Sequence, residues 1–243
     1  MGPSRRSLNR RIRPMFLLLA GIAAGMELLL LRIGSLDSSP SSVTPFLTFY
    51  LCAHLLYLLA VVAVLRSGDE CPRGTLPLIV AASLIFSVSL LPSQPLFSQD
   101  IYRYLWDGGL VAQGINPFKH TPDDWRLILH RNEVYQKMEY PYLRTMYPPV
   151  AQLLFALSAI LRPSSVATFK LLVVGFHFFS ILIIVALLRQ MAMGPARVII
   201  YAWSPLVAKE FANTGHMDAF PIFFLLLSLY LLIVRRRPGG SLV

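Results

Sequence analysis

Residues able to take up a proton lie close together in residues 98–109, SQDIYRYLWDGG. On a helix, Asp100, Arg103, Tyr104 and Asp107 stand at positions i, i+3, i+4 and i+7, so they share one face. A carboxylate on that face can act as a base, with Arg103 fixing its charge and Asp107 as a second proton acceptor. This spacing predicts a site for proton transfer.

A second interpretation of the same stretch involves no chemistry. The helix would lie on a membrane surface as an amphipathic element, and its Asp–Arg pair would only be solvated. Ile101, Leu105 and Trp106 fall largely on the other faces and would lie against lipid headgroups. Ser98 is predicted to be the N-cap, and the glycine pair at 108–109 to weaken or end the helix. Composition alone leaves both interpretations open.

A second group of polar residues lies between two apolar segments near the end of the chain: Lys209, Glu210, Asn213, His216 and Asp218. Ionisable groups at membrane depth are costly and mark either a site or a paired structural contact. Neutralisation of Lys209 by Glu210 would be such a contact. The pair His216 and Asp218 supplies too few ligands to predict a metal site. Tyr147, before two prolines that open a helix, is a further candidate to line a site.

The composition places these residues in a membrane protein. Of the 243 residues, 56% are hydrophobic and 14% are charged, against about 25% charged in an ordinary soluble domain. The basic residues that give the net charge of +10 lie between apolar runs. This placement is typical of loops that flank membrane helices and not of a nucleic-acid binder. Cys52 and Cys71 indicate neither a disulfide framework nor a zinc site.

The elements that must position the candidate residues are apolar helices. We predict an all-α, polytopic membrane helix bundle of about six to seven membrane segments with one long external loop. The apolar runs are 14–31, 43–65, 75–91, 150–161, 166–188, 198–207 and 219–234. The polar stretch 93–147 holds six of the twelve acidic residues, so function is expected there first.

Lysine and arginine asymmetry predicts the orientation. The basic head before residue 14 resembles a signal peptide, but no clear cleavage site follows, which favours a retained helix with a cytoplasmic N-terminus. The linker 36–42 lacks basic residues and 66–74 contains them, so 93–147 is predicted to be outside. If residues 198–207 dip in and return, the arginines at 235–237 are cytoplasmic; a complete crossing would place them outside.

An ordered series of motifs resembles bacterial members of the GT-C superfamily, in particular mannosyltransferase-like ones. These are polytopic glycosyltransferases that take sugars from polyprenyl-phosphate carriers. The motifs are residues 98–108, Gly114-Ile-Asn-Pro, Tyr147-Pro-Pro, Trp203-Ser-Pro-Leu, Glu210 and Gly215-His-Met-Asp218. The resemblance implies a single membrane domain over 1–243, with 1–74 as two leading helices. Residues 75–243 would be the N-terminal part of a GT-C-like module, truncated at its C-terminus.

The resemblance also implies an activity. A sugar, with a mannose-like hexose as the best match, would move with inversion from a polyprenyl-phosphate donor to a hydroxyl of a glycan or lipid acceptor. Transfer would take place on the outer face of the inner (plasma) membrane, among membrane lipid and without nucleic acid. No cofactor is required, although a divalent metal ion would be compatible.

Roles for the candidate residues follow from the resemblance. Asp100 matches the position of the general base, and Asp107 would assist it. The donor phosphate would meet Arg103, Lys209 and His216, because developing phosphate charge needs cations. The residues predicted to bind substrate are Tyr104, Tyr147, Glu210, Asn213 and Asp218. No metal ligand is predicted.

Two other classes remain open at this point. A non-enzymatic transporter or lipid-carrier protein would also contain intramembrane charges and broken helices. An inactive fragment of a transferase would retain the same motifs. The acids clustered in residues 93–147 favour the enzyme, because a transporter would place its charges near the midplane of the membrane.

Overall fold

The computed structural model describes residues 5–68, 71–72 and 74–235 and the side chains of 14–68, 71–72 and 74–234. Over these residues the chain is helical, without strands. The side chains of the N-terminal arginines, Arg73 and the arginines at 235–237, which were used to predict the orientation, lie outside the described set. The predicted all-α class is confirmed for the part that is described.

The helices follow the apolar runs. Their bounds are α1 Arg5–Gly34, α2 Val43–Arg66, α3 Thr75–Leu90, α4 Asp100–Ala112, α5 Glu133–Gln136, α6 Pro149–Leu161, α7 Val166–Gln190, α8 Ile199–Ala202, α9 Pro205–Val207 and α10 Ala219–Arg235. Short 3₁₀ turns lie at Pro40–Ser42, Trp125–His130 and Pro195–Val198, and a π-helix at Ala208–Asn213.

Three of these helical stretches are long and apolar enough to cross a membrane: Pro14–Gly34, Pro40–Arg66 and Val166–Gln190. Three further apolar helices are shorter: Thr75–Leu90, Pro149–Leu161 and Ala219–Val234. The chain is therefore a helical membrane protein.

Contacts between the helix ends define two ends of the bundle. At one end, Ser67 Oγ after α2 donates to Met15 Sδ in α1, at 3.1 Å. At the other end, which we call the loop end because it carries residues 93–147, the backbone N–H of Phe97 donates to Ser38 Oγ at 3.0 Å. The antiparallel helices α1 and α2 thus bring the linker 35–42 against the segment that leads into α4.

Residues 195–213 form one broken helix that runs the length of α3. Trp203 Nε1 donates to the carbonyl of Ile79 near the start of α3, and Asn213 Nδ2 donates to Ser93 Oγ just beyond its end. The expectation that residues 198–207 dip in and return is therefore wrong. Pro205 interrupts the hydrogen-bond ladder, but the contacts before and after it fall at successive positions along α3, so the break does not reverse the chain.

Helices α7 and α10 are parallel and both begin at the loop end. Phe169 contacts Phe220, and Phe176 contacts Phe223, with ring centroids 6.2 and 5.0 Å apart. Lys170, in the first turns of α7, donates to the carbonyl of Ser93. Because residues 195–213 return to the loop end before α10 starts, α10 ends at the opposite end without any re-entrant segment.

Helix α4 is buried against α6 and α7 at the loop end. Ile101, Leu105 and Trp106 are 1–4% exposed, so the expectation that they lie against lipid headgroups is wrong. They pack instead in an apolar cluster that includes Phe155 and Phe169. A face-by-face analysis of one helix does not reveal that neighbours cover these three side chains as well.

The start and end of α4 also differ from the sequence prediction. Gln99, not Ser98, occupies the N-cap position, and the helix continues through the glycine pair to Ala112. Gly108 lies against the backbone of α6, where a Cβ atom would overlap the carbonyl of Phe155. This glycine therefore permits close packing of two helices and does not end one.

The neighbouring glycines provide a matched test of that packing. Gly108→Ala should destabilise the protein by about 1–3 kcal/mol, because the added methyl group forces α4 and α6 apart. Gly109→Ala meets nothing within 4 Å and should be neutral or stabilising by about 0.5–1 kcal/mol. Thermal unfolding of both purified variants in detergent compares them. Equal melting temperatures would contradict the packing role of Gly108.

Candidate active site

The imidazole of His216 joins the two polar groups of the sequence at the loop end. Its Nδ1 lies 3.9 Å from Asp100 Oδ2 and 3.7 Å from Asp218 Oδ2, and its Nε2 lies 3.4 Å from Glu210 Oε2. Ser98 Oγ is 3.2 Å from Nε2. We call Ser98, Asp100, Glu210, His216 and Asp218 the His216 cluster.

Asp100 is the first residue of α4, and its side chain is 52% exposed. The first turn of a helix stabilises a carboxylate, because the unsatisfied N–H groups there carry partial positive charge. The Asp100 carboxylate is thus held close to His216 and remains open to a substrate. These are the properties a surface base needs.

Two tyrosines lie beside Asp100. The rings of Tyr104 and Tyr147 meet edge to face, with centroids 5.0 Å apart, and Tyr104 OH is 3.5 Å from His216 Nδ1. Burial, with the Asp100 charge as the next cause, raises the pKa of Tyr147 to about 12. Burial also raises the pKa of Tyr104 above its ordinary value. Both phenols are therefore neutral hydroxyls at physiological pH.

The π-helix and the residues that follow it hold Glu210 in place. Lys209 Nζ donates to Glu210 Oε1 at 3.0 Å, and Thr214 Oγ1 donates to Glu210 Oε2 at 3.0 Å. Gly215 then turns the chain at a φ of 71°, where a Cβ atom would meet Ile101 Cδ1 at 2.6 Å. Glycine is required here to bring His216 over α4. Because Lys209 is paired with Glu210, its charge is neutralised within the site.

Arg103 and Asp107 form a buried ion pair outside the His216 cluster. Arg103 Nε donates to Asp107 Oδ1 at 3.0 Å, and Gln152 Nε2 of α6 donates to Oδ2 at 3.1 Å. Asp107 is 1% exposed. Its oxygens are engaged between α4 and α6, so this carboxylate has a role in packing and lacks the exposure of Asp100.

Asn213 and Lys170 tie down the segment before α4. Asn213, 1% exposed, donates to Ser93 Oγ and to the carbonyl of Gln94, and its Oδ1 accepts from the N–H of Leu96. Lys170 Nζ binds the carbonyl of Ser93 at 2.6 Å. Asn213 was predicted to bind substrate, whereas here it holds backbone. Sequence reasoning missed Lys170, although a lysine inside an apolar run is itself a signal.

A small cavity of about 80 Å³ lies on one side of Asp100. It is lined by Asp100, Arg103, Glu139, Tyr140, Leu143, Arg144, Met146 and Tyr147. Arg144 is exposed, and within the described residues its guanidinium makes no hydrogen bond or ion pair. Sequence reasoning missed this residue, because an arginine in a long polar loop has no distinguishing local pattern.

A model of one protein family covers nearly the whole chain. The model described as alpha-(1->6)-mannopyranosyltransferase, N-terminal domain, matches residues 16–243. The chain belongs to this family. The resemblance to mannosyltransferase-like members is thereby confirmed, and the match takes in α1 and α2 as well as the later motifs. Separate comparisons with curated proteins and with solved structures give no match.

Membership of the alpha-(1->6)-mannopyranosyltransferase family bears on the transporter alternative that composition left open. It supports a membrane glycosyltransferase that takes a sugar donor and a glycan acceptor, and not a transporter. No group of three or more His, Cys, Asp or Glu side chains among the described residues is arranged to hold a metal ion.

Proposed function

We propose that the chain transfers a mannosyl group, with inversion, from a polyprenyl-phosphate donor to an acceptor hydroxyl at the outer face of the membrane. Asp100 is the general base. The observation that carries the proposal is the half-exposed Asp100 carboxylate, which belongs to the His216 cluster and also lines the cavity that contains Arg144. Family membership supports the mannosyl group as the one transferred.

The reaction needs one carboxylate. The acceptor oxygen attacks the anomeric carbon, the bond from that carbon to the phosphate oxygen breaks, and the phosphate leaves with the electron pair. Asp100 takes the proton from the attacking hydroxyl. A second carboxylate at the reacting carbon, as in retaining glycosidases, is not required for inversion. The half-exposed position of Asp100 leaves room for both substrates.

The leaving phosphate needs positive charge close to Asp100. We assign this role to Arg144, which lines the same cavity as Asp100. Arg103 lines that cavity too, but it is engaged by Asp107 and by the carbonyl of Leu143, so we assign it to support of the cavity wall. Lys209 is engaged by Glu210, so we assign it to support of the His216 cluster and not to the phosphate. His216 orients Asp100, and the neutral hydroxyls of Tyr104 and Tyr147 are available to the transferred sugar.

A transfer assay can distinguish a lipid-linked mannose donor from a nucleotide-linked one. The purified chain should transfer radiolabelled mannose from polyprenyl-phosphate mannose to an α-mannoside acceptor, and should not do so from a nucleotide-diphosphate mannose. Product analysis should show the α linkage that inversion of a β-linked donor produces. Transfer from the nucleotide donor alone, or retention of configuration, would contradict the proposal.

The same proposal includes a topology of six crossings in the inner membrane: α1, α2, α3, α7, the broken helix at 195–213 and α10. Arg66, Arg189 and Arg197 lie near the end of the bundle opposite the loop end. Basic residues in short loops favour the cytoplasm. The loop end, with Asp100, then faces outward, and α6 stays beside α4 without crossing.

Single-cysteine labelling tests this orientation. After replacement of Cys52 and Cys71 by Ser, Asp123→Cys at the loop end should react with an impermeant maleimide in intact cells. Met191→Cys, 58% exposed at the opposite end, should react only after permeabilisation. The reverse pattern would overturn the outer-face assignment.

A further inference from the structure

A second cavity lies between the linker that joins α1 to α2 and the segment that leads into α4, which ends just before Asp100. Its volume is about 250 Å³. That is slightly below the roughly 300–1,000 Å³ of sites for drug-sized ligands, so it suits a single sugar ring. The polar side chains that line it include Asp37, Gln94, Ser98, Gln99, Tyr102 and Lys137.

The walls of this cavity are held rigidly. Phe97 has a φ of 57°, a strained value for a residue with a side chain, and its N–H donates to Ser38 Oγ at 3.0 Å. Asn213, at the end of the π-helix, hydrogen-bonds to the backbone of Gln94 and Leu96. A cavity whose backbone is fixed from both sides binds without a large ordering cost.

The side chains that line the cavity have unused hydrogen-bonding capacity. Within the described residues, the side-chain amides of Gln94 and Gln99 have no hydrogen-bond partner. Asp37 Oδ1 accepts from the N–H and the hydroxyl of Ser39 and from the hydroxyl of Ser42. Those hydrogen bonds lower the pKa of Asp37 to about 2, so this wall carries a fixed carboxylate.

Asp37 and Lys137 balance the charge of this cavity, which favours a neutral polyol over an anion. The carboxylate of Asp37 would repel a phosphate, and Lys137 Nζ lies over the ring of Tyr102, 5.6 Å from its centroid. A hydroxyl-rich ring can donate to the carboxylate and exchange hydrogen bonds with the amides. The cavity that Asp100 lines contains Arg144, which has no counter-ion among the described residues and is the positive charge available to a phosphate.

We propose that this cavity is the subsite for a hexopyranose unit of the acceptor glycan. The inference rests on the proposed function, because Ser98 and Gln99 line the cavity and directly precede Asp100 in the chain. A ring bound here presents a hydroxyl to that base. The donor phosphate then occupies the cavity that Asp100 and Arg144 line. A sugar ring in this cavity would also contact the linker between α1 and α2, so the linker would take part directly in recognition of the acceptor.

Equilibrium binding tests the subsite without the reaction. The full chain, reconstituted in phosphatidylglycerol–phosphatidylcholine nanodiscs that contain no sugar, is titrated calorimetrically with α-1,6-mannobiose. Gln94→Leu should raise the Kd about three- to tenfold, the usual effect of one lost neutral hydrogen bond. Gln136→Leu, an exposed glutamine outside the cavity, is the matched control and should leave the Kd unchanged. An unchanged Kd in Gln94→Leu, or an equal rise in the control, would overturn the proposal.

A kinetic arm distinguishes the acceptor sugar from the donor sugar. Gln94→Leu should raise the KM for the acceptor and leave the KM for polyprenyl-phosphate mannose unchanged. A rise in the donor KM alone would assign the cavity to the donor and overturn our proposal. If the chain binds mannobiose at this cavity but uses another donor, the subsite stands and the proposed function fails.

Discussion

Asp100→Asn should lower the rate of mannosyl transfer about 10²–10⁴-fold, the usual effect of removing a general base. The amide keeps the size of the side chain but cannot accept the proton of the acceptor hydroxyl. Because Asp100 is half-exposed and at the start of α4, the substitution should leave the melting temperature and mannobiose binding unchanged. Single-turnover assays with radiolabelled donor measure the rate of transfer.

Asp123→Asn is the matched control for this experiment. Asp123 is an exposed aspartate of the same polar segment, and it accepts from Thr121 Oγ1 outside the His216 cluster. Its replacement should leave turnover unchanged. Near-normal turnover in Asp100→Asn would contradict the assignment of the base, and an equal loss in Asp123→Asn would show that the effect is not specific to the site.

Asp107→Ala should lower the free energy of unfolding by about 3–5 kcal/mol, because it leaves the buried guanidinium of Arg103 without its counter-charge. Gln152 Nε2 of α6 would also lose Asp107 Oδ2 as one of its two acceptors. Thermal unfolding in detergent measures the change. An expression level too low to purify the variant would itself agree with this size of effect.

A double variant separates packing from chemistry. Arg103→Met combined with Asp107→Leu replaces the ion pair by apolar side chains of similar size, and it should recover most of the stability that Asp107→Ala loses. Asp123→Ala, at an exposed aspartate, should cost no more than about 0.5 kcal/mol. If Asp107→Ala folds as stably as Asp123→Ala, the pair does not join α4 to α6.

The environment of α4 could not be inferred from its own residues. Helical spacing places Asp100 and Asp107 on one face, as predicted, and this suggests similar roles. Their surroundings differ because Gln152 of α6 packs against Asp107, whereas the side chain of Asp100 is 52% exposed. Burial is set by neighbours that are distant in the chain, and one-dimensional periodicity carries no information about them.

By itself, the amino-acid sequence determined the membrane class, the helix positions and the motifs that resemble a mannosyltransferase family, because each depends on composition or on local spacing. It also pointed to residues 98–107 and 209–218 as the chemical parts of the chain. Only the tertiary structure brought these two segments together around His216, since contacts across more than a hundred residues depend on how α3, α7 and the broken helix pack. The same packing decided that residues 195–213 run along α3, because Trp203 is hydrogen-bonded to Ile79 near the start of α3 and Asn213 to Ser93 beyond its end.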